Sequence, residues 1–473
     1  MLMDCVLNSP MDLGTGIPSG AQPEICDHPK NINRHSHIIV FILRNKELQV
    51  SYLGATELAH KPHPAMSARK STKPVKRKRV AILSSFFRLG QWRGIMRYGQ
   101  QAGWICQRVD RDTLSRLNSW NPEGLLFHID EFDTPLINYL RDSNLPKVGL
   151  RGLSESGGTT PLVLRDLAAY GHRIASHFVA RNYRRLCYIG PKSNDTSNAG
   201  CTHDAGMQQV ADAHGIKLEC FFPDQPATWK ALGLKHHLRS ASDWDRFWVL
   251  GPAIIDHLTK DPEPVAIFSA FTEPAMEFME MVGDRGLAIP SQIGIAAQTE
   301  DALNGLVTNV PMTCLVPDYD RQGYAAACLL DQILGGTKIP ADHRTFIPEF
   351  ELVLRESSNQ IVTSDPLLEK MLDHIRNHAL NPSYIPESLA TEFQCSLRLI
   401  QIRFRKSLRR GVAEIIREHR TQHAVDLITK TNLQMQEVSW QSGFTGHHQL
   451  ERAVHGLHGI GPTALRKKKE NTT

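Results

Sequence analysis

Residues 393–411, FQCSLRLIQIRFRKSLRRG, combine an apolar helical stripe with a dense set of positive charges. Leu397, Ile400, Phe404 and Leu408 recur at spacings of three and four residues, which predicts one buried face of an amphipathic helix. An isolated arginine-rich helix is most often a solvated surface, so the neighbouring segments decide its role. The basic residues in this stretch are Arg398, Arg403, Arg405, Lys406, Arg409 and Arg410.

The segment before this helix predicts a second, shorter helix. In IPESLATEF (385–393), Leu389 and Phe393 are four residues apart and share one face. Gln394 and Cys395 then form a tight turn, and Ser396 is a suitable N-cap for the arginine-rich helix. Two short helices joined by such a turn predict a helix-turn-helix unit.

The same arrangement recurs nearer the carboxyl terminus. MQEVSWQSGF (435–444) predicts a short helix that ends in a turn, and HHQLERAVHGL (447–457) predicts a second exposed helix. Leu450, Val454 and Leu457 are expected to point inward. This region is therefore predicted to hold a second helix-turn-helix unit.

A single long helix over residues 411–431 is predicted between the two units. At about 1.5 Å per residue it spans roughly 30 Å. That length is close to the ~34 Å between successive major grooves on one face of DNA. The pair of units and their spacing predict double-stranded DNA as the partner.

The outward positions of the two recognition helices are the candidate DNA contacts. Arginine can pair with guanine, and glutamine with adenine, when a helix lies in the major groove. Residues at the far end of the first recognition helix are better placed for phosphates. The predicted DNA-binding residues are Arg398, Gln401, Arg405, Arg409, Arg410, His447, His448 and Arg452.

Bulk composition is that of a chain with several globular domains. The 473 residues exceed a single core, and the net charge of +5 requires any nucleic-acid surface to be a local patch. Nine cysteines are scattered without a C-x-x-C pair, which favours free thiols in a reducing cytoplasm over disulfides or a zinc site. We expect a cytoplasmic protein, with neither an export signal nor a membrane span.

From Val80 onward, continuous apolar strands alternate with helices, which predicts an α/β fold with parallel sheets covered on both faces. About 275 residues of such units predict two lobes with a cleft between them. Residues 1–79 are predicted to be a poorly ordered extension, in which HIIVFIL (37–43) has strand character but no obvious partner. Translation starting at Met66 is an alternative. The remaining predicted boundaries are an α/β domain over 80–355, a linker over 356–366 and an all-α domain over 367–470.

The all-α domain resembles the AraC-type DNA-binding domain, which contains two helix-turn-helix units joined by a central helix. The residues that carry the likeness are SLATEFQCSLRLIQIRFRKSL, REHRTQHAVDLI, MQEVSWQSGF and GIGPTAL. In that family, outward residues early in each recognition helix contact bases. The resemblance implies this role for Arg398 and Gln401. Ile402 departs from the pattern, since a polar residue is usual there.

The α/β domain resembles the periplasmic-binding-protein-like sensor of LacI-type repressors, and the order of the two domains resembles the xylose-operon-regulator type. The likeness rests on LRDLAAYGHRIASHFVARNYRRLCYIG (164–190), RGLAIPSQIGIAAQTED (285–301) and CLVPDYDRQGYAAACLLDQILGG (314–336). It implies a small-molecule effector, typically a sugar, bound between the lobes. It also implies a homodimer paired through the lobes.

The expected ligand contacts depart from that family. SAFTEP (269–274) replaces the usual Asn-Asp pair, and QTED (298–301) keeps two carboxylates that can accept hydroxyl hydrogen bonds. A degenerate sensor that binds no ligand is therefore an alternative. The predicted ligand-binding residues are Phe86, Arg88, Trp92, Thr272, Glu273, Glu300 and Asp301.

An enzyme that uses the α/β cleft is the remaining alternative. The chain has no G-x-G-x-x-G after its first strand, no phosphate-binding G-x-x-x-x-G-K-[ST] and no G-x-S-x-G. Its 22 histidines are dispersed without a metal-binding spacing. We therefore predict no catalytic residue, no cofactor and no metal ligand.

Overall fold

Two separate units make up the computed structural model, divided between Val75 and Lys76. In the first unit, strands β1 (Ile38–Arg44) and β2 (Glu47–Leu53) pair antiparallel. The strand predicted at 37–43 thus corresponds to β1, and β2 is the partner that the sequence pattern did not reveal. The structure describes residues 38–44, 47–53, 77–85, 88–129, 133–152, 160–192, 201–235 and 243–470.

The second unit begins with the α/β domain, in which strands and helices alternate as predicted. Its strands are β3 (Arg79–Ser84), β4 (Ile105–Val109), β5 (Gly124–His128), β6 (Lys147–Gly149), β7 (Leu162–Arg165), β8 (Arg185–Ile189), β9 (Lys217–Phe221), β10 (Val265–Ser269), β11 (Ile293–Gln298), β12 (Thr313–Pro317), β13 (Arg344–Ile347) and β14 (Phe350–Val353). Its helices are α1 (Leu89–Ala102), α2 (Leu117–Trp120), α3 (Thr134–Asp142), α4 (Leu167–Ala180), α5 (His203–His214), α6 (Pro226–Ala231), α7 (Asp243–Leu258), α8 (Thr272–Asp284) and α9 (Tyr319–Leu334).

These strands form two six-stranded sheets, one in each lobe. The first lobe has the order β13-β7-β6-β5-β3-β4 and is parallel throughout. The second has the order β14-β12-β11-β10-β8-β9, with only β14 antiparallel. The strands β3, β5, β8 and β10 are buried along almost their whole length, as expected for sheets covered on both faces. The two-lobed α/β prediction is confirmed.

The chain crosses between the lobes three times, after β7, β12 and β13. The strand β7 was not predicted from the sequence, because its four residues run directly into the α4 pattern. FIPEFELVL (346–354), expected as one closing segment, divides at Pro348 into β13 and β14, which belong to different sheets. Proline cannot donate a ladder hydrogen bond, which explains why the strand stops there.

The polar segment after β14 begins as a buried part of the second lobe. The Ser357 hydroxyl donates to the carbonyl oxygen of Ile295 at 2.6 Å and accepts from the backbone N–H of Thr313 at 2.8 Å. The Ser358 hydroxyl lies 3.0 Å from Nε2 of His177 on α4. Composition alone predicted a linker here, and the structure adds that these hydrogen bonds satisfy the polar groups of its buried serines.

The carboxy-terminal domain is all-α, as predicted. One apolar core joins α10, α11, α12 and the start of α13, and a second joins the end of α13 to α14 and α15. The central helix α13 therefore contributes to the cores of both helix-turn-helix units. None of the helices in the described part of the chain is long and apolar enough to cross a membrane. The helices are α10 (Pro366–His378), α11 (Pro386–Glu392), α12 (Leu397–Leu408), α13 (Val412–Lys430), α14 (Met435–Gln441), α15 (His447–His458) and α16 (Pro462–Glu470).

Candidate DNA-binding surface and sensor cleft

The first recognition helix, α12, forms as its sequence predicts. Gln394 adopts a left-handed φ of 50° in the turn before it. The Ser396 hydroxyl accepts from the backbone N–H of Leu399 at 3.3 Å and so caps the helix. Ile400 and Phe404 are buried in the core of the first helix-turn-helix unit. Both the turn and the buried face are confirmed.

The opposite face of α12 is open to solvent. Arg398, Gln401 and Arg405 are exposed there, and Arg409 is exposed just after the helix ends. A helix whose exposed face carries guanidinium and amide groups has the donors and acceptors that major-groove contacts require. The position of these four side chains agrees with the predicted base and phosphate contacts, which remain predictions.

Another arginine fixes the orientation of α12. Nη1 of Arg403 lies 2.7 and 2.8 Å from the two carboxylate oxygens of Asp365. Asp365 is also the N-cap of α10, where it accepts from the backbone N–H groups of Leu367 and Leu368. The same carboxylate therefore caps α10 and also holds α12, because its two oxygens can accept several hydrogen bonds.

Arg410 occupies a different environment from the one expected for a phosphate contact. Its Nε donates to Glu414 at 2.9 Å, and its Nη2 is paired with Glu418 on α13. Glu418 also binds Arg181, at the end of α4 in the second lobe. The structure thus places Arg410 in an internal ion-pair network, while Arg409 stays exposed.

The second recognition helix, α15, buries Leu450 and Val454 in the core of the second helix-turn-helix unit. Leu457, predicted to point inward, is instead 54% exposed. It lies in the last turn of α15, just before Gly459 ends the helix in a left-handed conformation. The predicted DNA-facing residues His447, His448 and Arg452 are exposed.

In the α/β domain, an ion pair joins the two lobes across the cleft. Arg88 follows β3 in the first lobe, and Glu300 follows β11 in the second; Nη1 of Arg88 is bound to Oε1 of Glu300. The same Nη1 donates to the Tyr319 hydroxyl at 3.3 Å, and Nη1 of Arg165 donates to it at 3.4 Å. All four groups lie at the carboxyl ends of strands or at the start of α9, where ligands bind in open α/β sheets.

A cavity of about 20 Å³ lies beside Arg88 and is lined also by Trp92, Gln91 and His128. Nδ1 of His128 is 2.7 Å from Oε1 of Gln91, whose Nε2 donates to Gln322 at 2.9 Å. Burial, together with nearby guanidinium groups, holds the pKa of His128 well below its usual value, so the ring is neutral. A space of this size accommodates no more than a water molecule.

The other predicted ligand contacts make local hydrogen bonds. The buried Thr272 hydroxyl donates to the carbonyl oxygen of Gln298 at 3.3 Å, and Asp301 caps a short 3₁₀ turn by accepting from the backbone N–H of Leu303 at 2.8 Å. Glu273 is exposed in the first turn of α8. Phe86 lies outside the described residues. The structure therefore pairs Arg88 with Glu300 at the cleft, and Trp92 lines the small cavity beside Arg88.

Comparison with known proteins agrees with this architecture. A periplasmic binding protein-like domain matches residues 175–358, and a helix-turn-helix domain matches residues 389–468. The xylose operon regulatory protein of Escherichia coli (strain K12) is 21% identical over 340 residues, covering 71% of this chain and 81% of that protein. The protein of the same name from Haemophilus influenzae (strain ATCC 51907 / DSM 11121 / KW20 / Rd) is 20% identical over 337 residues, with coverage of 70% and 81%.

The chain joins a periplasmic-binding-protein-like sensor to an AraC-type helix-turn-helix domain. It is homologous to the xylose operon regulatory proteins. A solved structure of the xylose-binding transcription activator xylR matches with a TM-score of 0.48 and 17% identity, covering 83% of this chain and 98% of that one.

Two residues of the regulator's cleft were missed by sequence reasoning. Tyr319 begins α9, inside the DYDRQG stretch that carried the family resemblance, and its ring lies beneath the guanidinium groups of Arg88 and Arg165, whose Cζ atoms are 5.2 and 5.6 Å from the ring centroid. Arg165 ends β7, the strand that was not predicted. Recognising that strand would have identified Arg165 as a cleft residue, because the carboxyl ends of all the parallel strands meet at one edge.

Proposed function

We propose that this protein is a sequence-specific regulator of transcription whose DNA binding responds to a small molecule of the sugar class. The helices α12 and α15 enter the major groove on consecutive turns of DNA. The 19 residues of α13 span about 28 Å, which suits that spacing. A protein with this role acts in the cytoplasm and has no enzymatic step to perform.

The observation that carries the DNA-binding half is the exposed face of α12. Arg398, Gln401 and Arg405 project from a helix whose other face is fixed in a core, so the side chains are displayed on a rigid support. Rigid display lowers the conformational entropy lost on binding. Base contacts from Arg398 and Gln401, with phosphate contacts from Arg409, then account for both specificity and affinity.

The sensing half is supported by the groups that meet at the cleft. Guanidinium and carboxylate groups hydrogen-bond sugar hydroxyls, and Arg88 and Glu300 supply both in one place, with the buried Tyr319 ring packed against Arg88. Among the described residues, the buried Nε of Arg88 has no hydrogen-bond acceptor. The names of the relatives make D-xylose the first compound to test.

Effector binding would act on the closure of the lobes. The Arg88–Glu300 pair holds them together, and a ligand that competes for either group changes the relative free energy of the closed and open states. Only such a difference in affinity for the two states can shift their populations. In a homodimer paired through its lobes, the shift would change the distance between two DNA-binding domains.

A second candidate is a regulator whose sensor binds no ligand. The observation that favours it is that Arg88 and Glu300 already neutralise one another across the cleft, beside a cavity of only about 20 Å³. In that case the α/β domain would serve dimerisation alone, and DNA binding would be constant.

One experiment separates these outcomes. Genomic fragments are selected with the purified full-length protein, and the dissociation constant for the best fragment is measured with and without D-xylose and a panel of related sugars. We expect specific binding that one sugar changes by at least about fivefold. Arg398→Ala should reduce the preference for the selected fragment, and Arg285→Ala, on the surface of the second lobe, is the control. Specific binding that every sugar leaves unchanged supports the second candidate, and equal binding to selected and scrambled DNA overturns the proposal.

A further inference from the structure

The exposed face of α12 carries two apolar side chains among its basic ones. Leu399 is 52% exposed and Ile402 is 53% exposed, whereas the other central apolar residues of the helix are buried. They are three residues apart, so they lie side by side on the helix surface. Neither side chain belongs to the apolar core of the first helix-turn-helix unit. Their exposure is a cost in water unless a partner covers them.

The helical geometry puts this pair in the middle of the DNA-facing surface. At 100° per residue, Ile402 lies almost opposite Ile400 and Phe404, which face the core. Arg398 and Arg405 lie to one side of Ile402, and Lys406 lies with Leu399 on the other. The apolar pair is therefore surrounded by cationic groups, and a partner that covers it must carry negative charge around an apolar centre.

The major groove of DNA offers that combination at one kind of base. Base edges there present hydrogen-bond donors and acceptors, with the 5-methyl group of thymine as the apolar exception. A leucine or isoleucine side chain pressed against amino or carbonyl groups would leave them without hydrogen-bond partners, which is penalised. The phosphates on either side complement the surrounding arginines.

We propose that Leu399 and Ile402 contact the 5-methyl groups of thymines in the half-site bound by α12. This inference rests on the proposed DNA-binding function and adds to it the base that the apolar pair selects. Arg398 and Gln401 select the neighbouring positions by hydrogen bonds.

The test removes single methyl groups from the DNA. Thymines in the half-site bound by α12 are replaced one at a time by deoxyuridine, which keeps base pairing and loses only the 5-methyl group. We expect the full-length protein to bind about fourfold more weakly for each contacted methyl, equivalent to ~0.8 kcal/mol. Deoxyuridine placed outside the footprint is the DNA control and should have no effect.

Protein variants make the assignment residue by residue. Ile402→Ala should weaken binding to thymine-containing DNA and should no longer distinguish thymine from deoxyuridine at its own base pair. The helix should fold normally, since the side chain is exposed and alanine is the better helix former. Lys406→Ala, on the same face, should keep the full deoxyuridine penalty.

The outcomes are distinguishable from one another. Specific binding that is unchanged by every deoxyuridine substitution overturns this inference and leaves the proposed function intact. A deoxyuridine penalty at one and the same thymine that persists in both Leu399→Ala and Ile402→Ala overturns it as well. Loss of self-association by these variants, with unchanged DNA binding, would assign the apolar pair to a protein contact instead. Failure of the unmodified protein to prefer any DNA sequence overturns the proposed function itself.

Discussion

The guanidinium group of Arg181, which follows α4 in the sensor, forms an ion pair with the carboxylate of Glu418 in α13 of the DNA-binding domain. Glu418 binds Arg410 with its other oxygen, so a single carboxylate lies between guanidinium groups from both domains. Next to this contact, Nδ2 of Asn182 donates to the carbonyl oxygen of Val362 at 2.8 Å, and the backbone N–H of Val362 donates to Arg181 at 3.0 Å. The Arg181–Glu418 pair joins the sensor to the DNA-binding domain, and the Val362 contacts fix the connecting segment at the same end of α4.

Substitution of Glu418 should therefore be more harmful than substitution of Arg181. Burial disfavours the charge of Glu418, but the two guanidinium groups outweigh it and hold the pKa of this carboxyl below its usual value. Glu418→Gln leaves Arg181 and Arg410 facing each other, whereas Arg181→Gln leaves a satisfied Glu418–Arg410 pair. In a double-mutant cycle on unfolding free energy, we expect a coupling of about 0.5–3 kcal/mol between Arg181 and Glu418. Asp426→Asn, in an exposed pair with Lys430 on the same helix, is the control. Equal effects of Glu418→Gln and Arg181→Gln would contradict this account.

Arg409 and Arg410 should differ in their effect on salt dependence. Arg409 is exposed at the end of α12, while Arg410 is engaged by Glu414 and Glu418. Arg409→Ala should lower the slope of log K against log salt by about 1, because one fewer phosphate is neutralised. Arg410→Ala should leave that slope nearly unchanged. The measurement is the dissociation constant at several salt concentrations, and a larger change for Arg410→Ala would show that its ion pairs break on binding DNA.

Arg398→Ala should relax the base preference at one position of the first half-site. A bidentate arginine contact to a base contributes about 1–3 kcal/mol of discrimination, and that amount should be lost at a single base pair. Binding to sites with each of the four bases at every position provides the test. Arg409→Ala, at the residue that follows α12, is the matched control and should weaken all sites alike. A uniform loss for Arg398→Ala would mean that this side chain contacts phosphate.

Glu300→Gln should favour separation of the lobes. The pair with Arg88 is partly exposed, so its direct contribution to stability is small, about 0–1 kcal/mol. Its effect should appear in the ligand-free protein as a larger radius of gyration by small-angle X-ray scattering. Asp320→Asn is the control, because that carboxylate pairs with Arg93 and Arg97 of α1 within the first lobe. Identical scattering curves for Glu300→Gln and the unmodified protein would show that other contacts hold the lobes closed.

The buried His177 should make the sensor less stable as the pH falls. Burial, with the guanidinium groups of Arg181 and Arg173, lowers the pKa of His177 from 6.5 to about 3. At pH values between about 3 and 6.5, His177 binds a proton in the unfolded chain but not in the folded one. The free energy of unfolding therefore falls as the pH drops below 6.5. One such histidine contributes a slope of up to ~1.4 kcal/mol per pH unit. Denaturation of His177→Gln between pH 7.5 and 5 should give a shallower dependence, and parallel curves would exclude His177 as the cause.

Sequence patterns predicted the elements whose signals are local. The Ser396 cap, the turn at Gln394 and the burial of Ile400 and Phe404 all follow from residues within one turn of the helix they define. The inward position predicted for Leu457 was wrong. Its helical spacing is correct, but the core of the second unit does not extend to the last turn of α15. How far a core reaches depends on tertiary packing.

The cleft was harder to predict for the same reason. Arg88 and Glu300 could both be proposed from their positions after predicted strands, yet their ion pair joins residues 212 apart in sequence. Arg410 was assigned to phosphate from its place at a helix end. In the structure it pairs with Glu414 and Glu418, and the pair with Glu418, eight residues away, could be predicted only if the turn between α12 and α13 were already known. Charged residues in a sequence indicate that ion pairs can form, but the tertiary fold determines which residues are paired.

The double role of Asp365 has a consequence for exchanging modules between regulators. Its carboxylate caps α10 and holds Arg403 of α12, although it lies in the segment that composition marks as a linker. A hybrid protein spliced immediately after Asp365 would take this residue from the donor of the sensor and leave the recognition helix without its anchor. Splicing ahead of Arg355, so that the buried serines and Asp365 travel with the DNA-binding domain, would instead disturb the second lobe. Successful hybrids should therefore need the splice between Val362 and Asp365.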